Sequence, residues 1–399
     1  MPKINTDVEA FARIKIIGVG GAGKNATNYM IKSKVQGVEF IAINTDAQDL
    51  HHSLAKRKIH IGKNLTNGLG AGMNPDLGKR AAEETTEEIQ DILKGANMIF
   101  ITAGFGGGTG TGAAPVIAKT AKDLGILTVA VVTKPFMFEG AKRNAIAEEG
   151  LEILKESVDA IIIIPNDRIL SVAPEGTTMD DAFAMSDKIL KEAVEGISDL
   201  ITIPGKINVD FADILTIMGN AGSALMGIGK ATGEKRAEEA ALQAINSPLL
   251  DISIAGAKGV LLSVAGGDDL TINEIQIAAK IITESIDPNA KVIFGTSKTD
   301  TLKKNEIKIT VIATGFGDTP KNMRENAGMF SRAPKKEEVK EEKSGIFGGS
   351  SKKDGKNEDK KELVIKEEKE HKNIILEDNN DEDDTWDAIP SFLRRSKLK

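Results

Sequence analysis

Between residues 13 and 164 short apolar runs recur at regular intervals, RIKIIGV, GVEFIAIN, ANMIFITAG, LGILTVAVVT and VDAIIIIP, separated by amphipathic or glycine-opened stretches. Runs apolar on both faces, alternating with helical patterns, predict a parallel sheet covered by helices. A longer helical pattern follows from Met179 to Ile203, with Phe183, Ile189, Leu190, Val194, Ile197 and Leu200 at helical spacing until Pro204 and Gly205 stop it. Such a helix would act as an axle between two halves. Further helical patterns and the strands KGVLLSVAG, AKVIFGTS and EIKITVIATGF predict a smaller α/β domain ending near Asp318.

The expected layout is a flexible extension at 1–12, a sheet domain at 13–178, the axle at 179–203 and a second domain at 204–318. A linker at 319–383 and a tail peptide at 384–399 complete it. Residues 335–383 are dominated by Lys, Glu, Asp, Asn and Gly, the composition of a disordered segment. About 60 such residues reach some ~45 Å end to end, so the tail could search widely for a partner. In DTWDAIPSFLRRSKLK, Trp386 is the sole tryptophan and joins Ile389, Phe392 and Leu393 in a small apolar cluster. Large apolar side chains in a solvated segment point to a docking peptide rather than a stray patch.

Composition narrows the chemistry. The chain has 399 residues, 40% hydrophobic and 28% charged, with 40 glycines and only 4% aromatics, which suggests binding loops built from backbone. Cysteine is absent, excluding disulfides, thiol catalysis and cysteine zinc sites, and His51, His52, His60 and His371 show no metal-ligand spacing. No protein metal site is therefore expected. The N-terminal stretch lacks the apolar core of a signal peptide, and no apolar run approaches the ~20 residues of a membrane helix, so a cytoplasmic protein without membrane insertion is expected. Acidic and basic residues balance beyond residue 320, so the net charge of −7 sits on the remainder, and nucleic acid is disfavoured as a partner.

After the first strand, GVGGAG places Gly18, Gly20 and Gly23 in the dinucleotide pattern G-x-G-x-x-G. The same residues nearly make a P-loop, Gly18 to Lys24 reading GxxxxGK, but Asn25 stands where a Mg²⁺-binding hydroxyl belongs. Both readings share one physical basis: glycines let backbone approach phosphate, and a helix N-terminus directs N–H groups at the anion. A second loop, AGFGGGTGTG at 103–112, again follows a strand and opens a helix, and its Thr109 and Thr111 offer hydroxyl donors. A third, GLGAGMNPD at 68–76, precedes another helix, and Ala71 and Gly72 could give N–H groups to a terminal phosphate. One such loop is a tight turn as readily as a site. Three at strand ends imply a long polyphosphate.

GGGTGTG at Gly106 to Gly112, with GVGGAGKNA at Gly18, NTDAQ at Asn44, VVTKPFMFEG at Val131 and NVDFAD at Asn208, resembles the tubulin/FtsZ GTPase family over roughly residues 12 to 318. The resemblance implies a Rossmann-like GTP-binding domain, a long central helix and a smaller α/β C-terminal domain. It also implies a GTP-dependent filament of bacterial cell division at the midcell ring, hydrolysing GTP to GDP with Mg²⁺ between head-to-tail subunits. The nucleotide-binding residues it implies are Gly20, Gly21, Ala22, Asn25, Asn44, Ala71, Gly72, Gly104, Gly106, Gly107, Gly108, Thr109, Gly110, Thr133, Pro135, Glu139, Arg143, Asn166, Phe183 and Asp187. By the same likeness Ile389, Pro390, Phe392, Leu393 and Arg394 bind membrane-tethering division proteins such as the actin-like FtsA.

Several of these positions admit blander readings. Phe183 and Asp187, four apart on one helix face, read without the family as a core residue and a solvated one. With it, they stack on guanine and accept its N1–H and exocyclic N–H, which adenine cannot offer. Asn25 and Asn166 match contacts to guanine or sugar, and Thr133 and Pro135 match the loop beside the ribose. Glu139 and Arg143 read as a helical ion pair, or as ribose and phosphate contacts. Asn208, Asp210 and Asp213 read as helix caps worth about 0.5–2 kcal/mol. The resemblance instead makes Asp210 and Asp213 the acids, assisted by Asn208, that position water at the neighbouring subunit's nucleotide. With Asn25 lacking a hydroxyl, Mg²⁺ would be held by phosphate and water. Two other readings remain open here: an NAD-dependent oxidoreductase using GVGGAG and Asp46, and a nucleotide-regulated scaffold without turnover.

Overall fold

The computed structural model describes residues 12–316 apart from positions 204, 249, 251, 252, 268, 299–301 and 304. All but the last residue of the expected extension at 1–12, together with the linker and the tail, lies outside the described residues. In chain order the first elements are β1 (Ile14–Val19), α1 (Gly20–Lys32), β2 (Val38–Asn44), α2 (Ala47–His51), β3 (Arg57–His60), α3 (Lys63–Thr66), α4 (Pro75–Glu84) and α5 (Thr86–Leu93). They continue with β4 (Met98–Gly104), α6 (Thr109–Asp123), β5 (Leu127–Lys134), α7 (Ala141–Ser157), β6 (Ala160–Pro165), α8 (Asn166–Leu170) and α9 (Met179–Thr202). The last are α10 (Phe211–Met218), β7 (Gly222–Thr232), α11 (Arg236–Ile245), β8 (Gly259–Gly266), α12 (Ile272–Glu284), β9 (Lys291–Lys298) and β10 (Glu306–Thr314).

The strands form one sheet in the order β3-β2-β1-β4-β5-β6-β7-β10-β8-β9. From β3 to β7 every pairing is parallel, as continuous apolar runs require. One face carries a core of Ile17, Ile41, Ile99 and Ile101 against Ala113, Ile117 and Leu151. The other carries Ile16, Phe100, Val129 and Val131 against Leu190, Val194 and Ile197 of α9.

β7 joins the two halves and is absent from the sequence expectation. Its first residues pair in parallel with β6, Ala160 opposite Gly222, and the remainder pairs antiparallel with β10, Ile309 opposite Gly229. The glycines in GSALMGIGKAT interrupt its apolar pattern, yet they are needed for packing. A Cβ at Gly227 would stand 1.9 Å from the Ala244 carbonyl oxygen, and one at Gly229 1.9 Å from that of Ala240, so α11 rests directly on the strand backbone. Arg236 anchors this half: it is 5% exposed and bonds Asp269 and Glu274 together.

α9 starts where Thr178 caps it, its hydroxyl oxygen accepting from Asp181 N at 3.2 Å, with Asp180 and Asp181 complementing the dipole. Its 24 residues span about 36 Å. After it, Asn208 Oδ1 accepts from Gly205 N at 2.7 Å, and Gly205 has no room for a side chain beside the Thr296 carbonyl. This folds the chain back into α10.

Candidate nucleotide site

The carboxyl ends of β1, β4, β5 and β6 lie side by side, the edge at which parallel α/β sheets bind ligands. Beside them opens a cavity of about 340 Å³. From α1 it receives Gly21, Ala22 and Asn25, from the end of β4 and the residue after it Gly104 and Phe105, from β5 Thr133, from the segment after β5 Pro135 and Glu139, and from α7 Arg143. Asn166 comes from the end of β6, and Phe183, Ser186, Asp187 and Leu190 from α9. Eleven sequence positions spread over 166 residues of chain thus meet at one place. Phe105, Ser186 and Leu190 were not expected.

The three glycine loops touch one another. A Cβ on Gly20, at φ +72°, would come 3.1 Å from Gly110 N, which brings the first loop against the second. Gly108 N donates to the Gly72 carbonyl at 2.6 Å, and a Cβ at Gly108 would meet the carbonyls of Ala71, Gly72 and Asn74. Only glycine permits this approach, and it leaves the amino ends of α1 and α6 adjacent, with two sets of N–H groups available to an anion. Gly20, Gly106, Gly107, Gly108, Thr109, Gly110, Ala71 and Gly72 belong to this cradle and do not line the cavity itself.

Several hydroxyls and charges are committed elsewhere. The Thr111 hydroxyl accepts from Gly106 N at 2.9 Å, so it shapes the loop rather than facing a ligand. Thr109 Oγ1 lies 2.6 Å from Thr45 Oγ1, a tie between α6 and the loop after β2. Lys24, placed by the P-loop reading on phosphate, is buried and paired with Asp49. Asn44 is also buried: its amide donates to Asp49 at 2.8 Å, and its carbonyl accepts from Thr45 N at 2.9 Å. Asn44 therefore holds the β2–α2 loop. Asp46, the acid of the dinucleotide reading, caps α2 by accepting from Asp49 N at 2.8 Å.

The base end of the cavity has distinct chemistry. Phe183 is 40% exposed, and its ring is braced edge-on by the buried Phe136 at 5.2 Å, which stacks in turn on Phe138 at 5.0 Å. That leaves an open, rigid aromatic face. Burial pushes the Asp187 carboxyl up to about 7, and among the described residues no cation offsets the desolvation. Arg143 Nε lies 3.2 Å from Glu139 Oε2, while Glu139 also accepts from Phe136 N at 2.9 Å. This pair is not the single-helix pair read from spacing, because Glu139 belongs to a short 3₁₀ turn and Arg143 to α7.

Asn208, Asp210 and Asp213 stand apart, at the start of α10, and do not line the cavity. Asp210 Oδ1 caps α10 by accepting from Asp213 N at 2.8 Å. Asn208 and Asp210 are exposed. From Asp187 to the end of α9 is fifteen residues, about 22 Å of helix axis, before the chain turns towards these acids.

Glycine loops at strand ends, an open aromatic face and a carboxylate without a partner among the described residues define a nucleotide-binding α/β protein. The model of the tubulin/FtsZ family GTPase domain matches residues 13–174, and that of the FtsZ family C-terminal domain matches residues 222–317. The chain is similar to an empty FtsZ dimer from M. jannaschii at 45% identity, covering 77% of this chain and 89% of that one, with a TM-score of 0.74. At 22% identity it shares the fold of the GDP-bound CetZ1 monomer from Haloferax volcanii, covering 77% of this chain and 96% of that one, with a TM-score of 0.67. The chain belongs to the tubulin/FtsZ family.

Proposed function

We propose that this chain is a GTP-dependent polymerising GTPase of the cell-division ring, in which each nucleotide is hydrolysed by acids supplied from the next copy. The observation that carries this reading is distance. The acids at the start of α10 do not line the cavity that holds Phe183 and Asp187, and about 22 Å of the α9 axis lies between Asp187 and the turn that leads to them, which supports a centre completed by a second copy. A second copy placed head to tail supplies what the first lacks, and the M. jannaschii relative, solved as a dimer, supports self-association.

In this reading Phe183 stacks on guanine and Asp187 accepts its N1–H and exocyclic N–H. Thr133, Pro135 and Glu139 flank the ribose, and the amino ends of α1 and α6 receive the phosphates. The incoming Asp213 and Asp210 orient a water in line with the γ-phosphorus. A new P–O bond forms as the bond to the β-phosphate oxygen breaks, releasing GDP and phosphate. Among the described residues no cluster of three or more His, Asp or Glu could cage a metal. Mg²⁺ would arrive with the nucleotide and be held by phosphate oxygens and water rather than by side chains, where it would neutralise charge. Among the described residues no helix is long and apolar enough to cross a membrane. In this reading the filament lies on the inner membrane face, held there by FtsA-like tethers at the tail.

Phosphate release measured beside GTP-dependent sedimentation tests the proposal. Turnover per copy is expected to climb steeply with protein concentration. Asp213→Ala is expected to keep GTP binding and sedimentation while losing at least about a hundredfold in hydrolysis. Constant turnover per copy on dilution, or loss of GTP binding in Asp213→Ala, would overturn it.

A further inference from the structure

Two asparagines line the cavity, and the structure treats them differently. Asn25 is exposed, and its side chain makes no hydrogen bond among the described residues, so its amide turns freely to suit a ligand. Asn166 is 5% exposed, and its Oδ1 accepts a hydrogen bond of 2.8 Å from the hydroxyl of Ser186, itself 5% exposed. An amide has its acceptor and its donors on opposite sides. With the oxygen held by Ser186, the Asn166 N–H₂ group is the face left for the cavity. The Ser186 hydroxyl makes no other hydrogen bond among the described residues.

Ser186 directly precedes Asp187 on α9, and both line the cavity with Asn166. On guanine, the two donors that a carboxylate accepts, N1–H and the exocyclic amine, are flanked by two acceptors, the O6 carbonyl and ring N3. A site that reads the donor pair with Asp187 leaves an acceptor bare on either side, and a buried unpaired acceptor is costly. We propose that Ser186 is a positioning residue for base recognition: it locks Asn166 as a donor to one of the two acceptors flanking the edge that Asp187 reads. This rests on the guanine reading given above. Its proposed contribution is the orientation of the amide, made through the Ser186–Asn166 hydrogen bond.

The test is calorimetric titration of GDP, ADP, 6-thio-GDP and 3-deaza-GDP into the full chain and its Ser186→Ala variant, below the concentration of assembly. Thio substitution weakens the acceptor at position 6, and deaza substitution removes the one at position 3. In the unaltered protein one of these analogues is expected to bind about threefold to tenfold more weakly than GDP, the loss of one neutral hydrogen bond. In Ser186→Ala that ratio is expected to fall towards one, because the released amide no longer favours its donor face. Asn166→Ala is expected to remove the ratio altogether, which serves as a second variant. A purely structural serine would lower stability and leave the ratio intact. The proposal is overturned if both analogues bind the unaltered protein like GDP, or if the weakening persists in either variant. Equal binding of GDP and ADP by the unaltered protein is a different result, and it strikes the guanine reading itself.

Discussion

Asp187 sits where burial pushes its carboxyl up to about 7, so near neutrality the empty cavity holds it half protonated. Only the ionised form offers acceptors to both N1–H and the exocyclic amine of guanine, so the protonated fraction is lost to binding. With a value near 7, about one carboxyl in eleven is ionised at pH 6 and about ten in eleven at pH 8. Apparent affinity scales with the competent fraction, so GDP is expected to bind roughly tenfold more weakly at pH 6 than at pH 8. The sign agrees with stability linkage. A carboxyl raised above its unfolded value favours the folded chain while protonated, and that contribution fades as pH climbs from about 4 through 7. Binding therefore gains on the side where the empty protein loses.

The assay is calorimetric titration of GDP at pH 6, 7 and 8, repeated with Asp187→Asn. The terminal phosphate of GDP also titrates near pH 6. Asp199, likewise raised to about 7 by burial, titrates in the same range. Both effects are common to the two proteins and cancel in the comparison. Asp187→Asn is expected to bind more weakly throughout and to lose the steep part of the profile. An unaltered protein whose affinity holds within about twofold from pH 6 to 8, or a variant showing the same slope, would refute the reasoning.

Gly227→Ala drives a methyl group into the Ala244 carbonyl and should cost about 1–3 kcal/mol of stability, read as a lower melting temperature with GDP affinity retained. Glu274 is held at about 2 by its bonds to Arg236, so its stabilisation is present above the ordinary carboxylate value and lost as pH falls from about 4.5 to 2. Acid melts should show Arg236→Met destabilised at pH 7 by about 3 kcal/mol, with the difference from the unaltered protein narrowing below pH 4. An unchanged gap at pH 3 would count against that pairing as the source of stability.

The first half of the sheet was legible because its strands are buried on both faces and so are apolar throughout, and α9 because its stripe recurs for 24 residues. β3 was missed: RKIH is a charged edge strand that pairs on one side only. β7 was missed because its glycines answer to the backbone of α11, a tertiary demand invisible in local pattern. In the site, glycine spacing marked the loops but could not say which hydroxyl faces outward. Thr111 serves its own loop and Lys24 serves Asp49, as only the folded contacts reveal. Ser186 gave a signal that went unread, since it lies between Phe183 and Asp187 on the helix.

The length of α9 fixes a simple arithmetic for any row of copies. If every complete centre needs two neighbours, a row of n copies contains n − 1 of them, with one end presenting an unserved nucleotide and the other an unused pair of acids. A pair then works at half the capacity of a long row, and the two ends age differently. In such a row GTP would persist longest at one tip while the interior turned to GDP, giving the row a chemical direction from the spacing within a single chain.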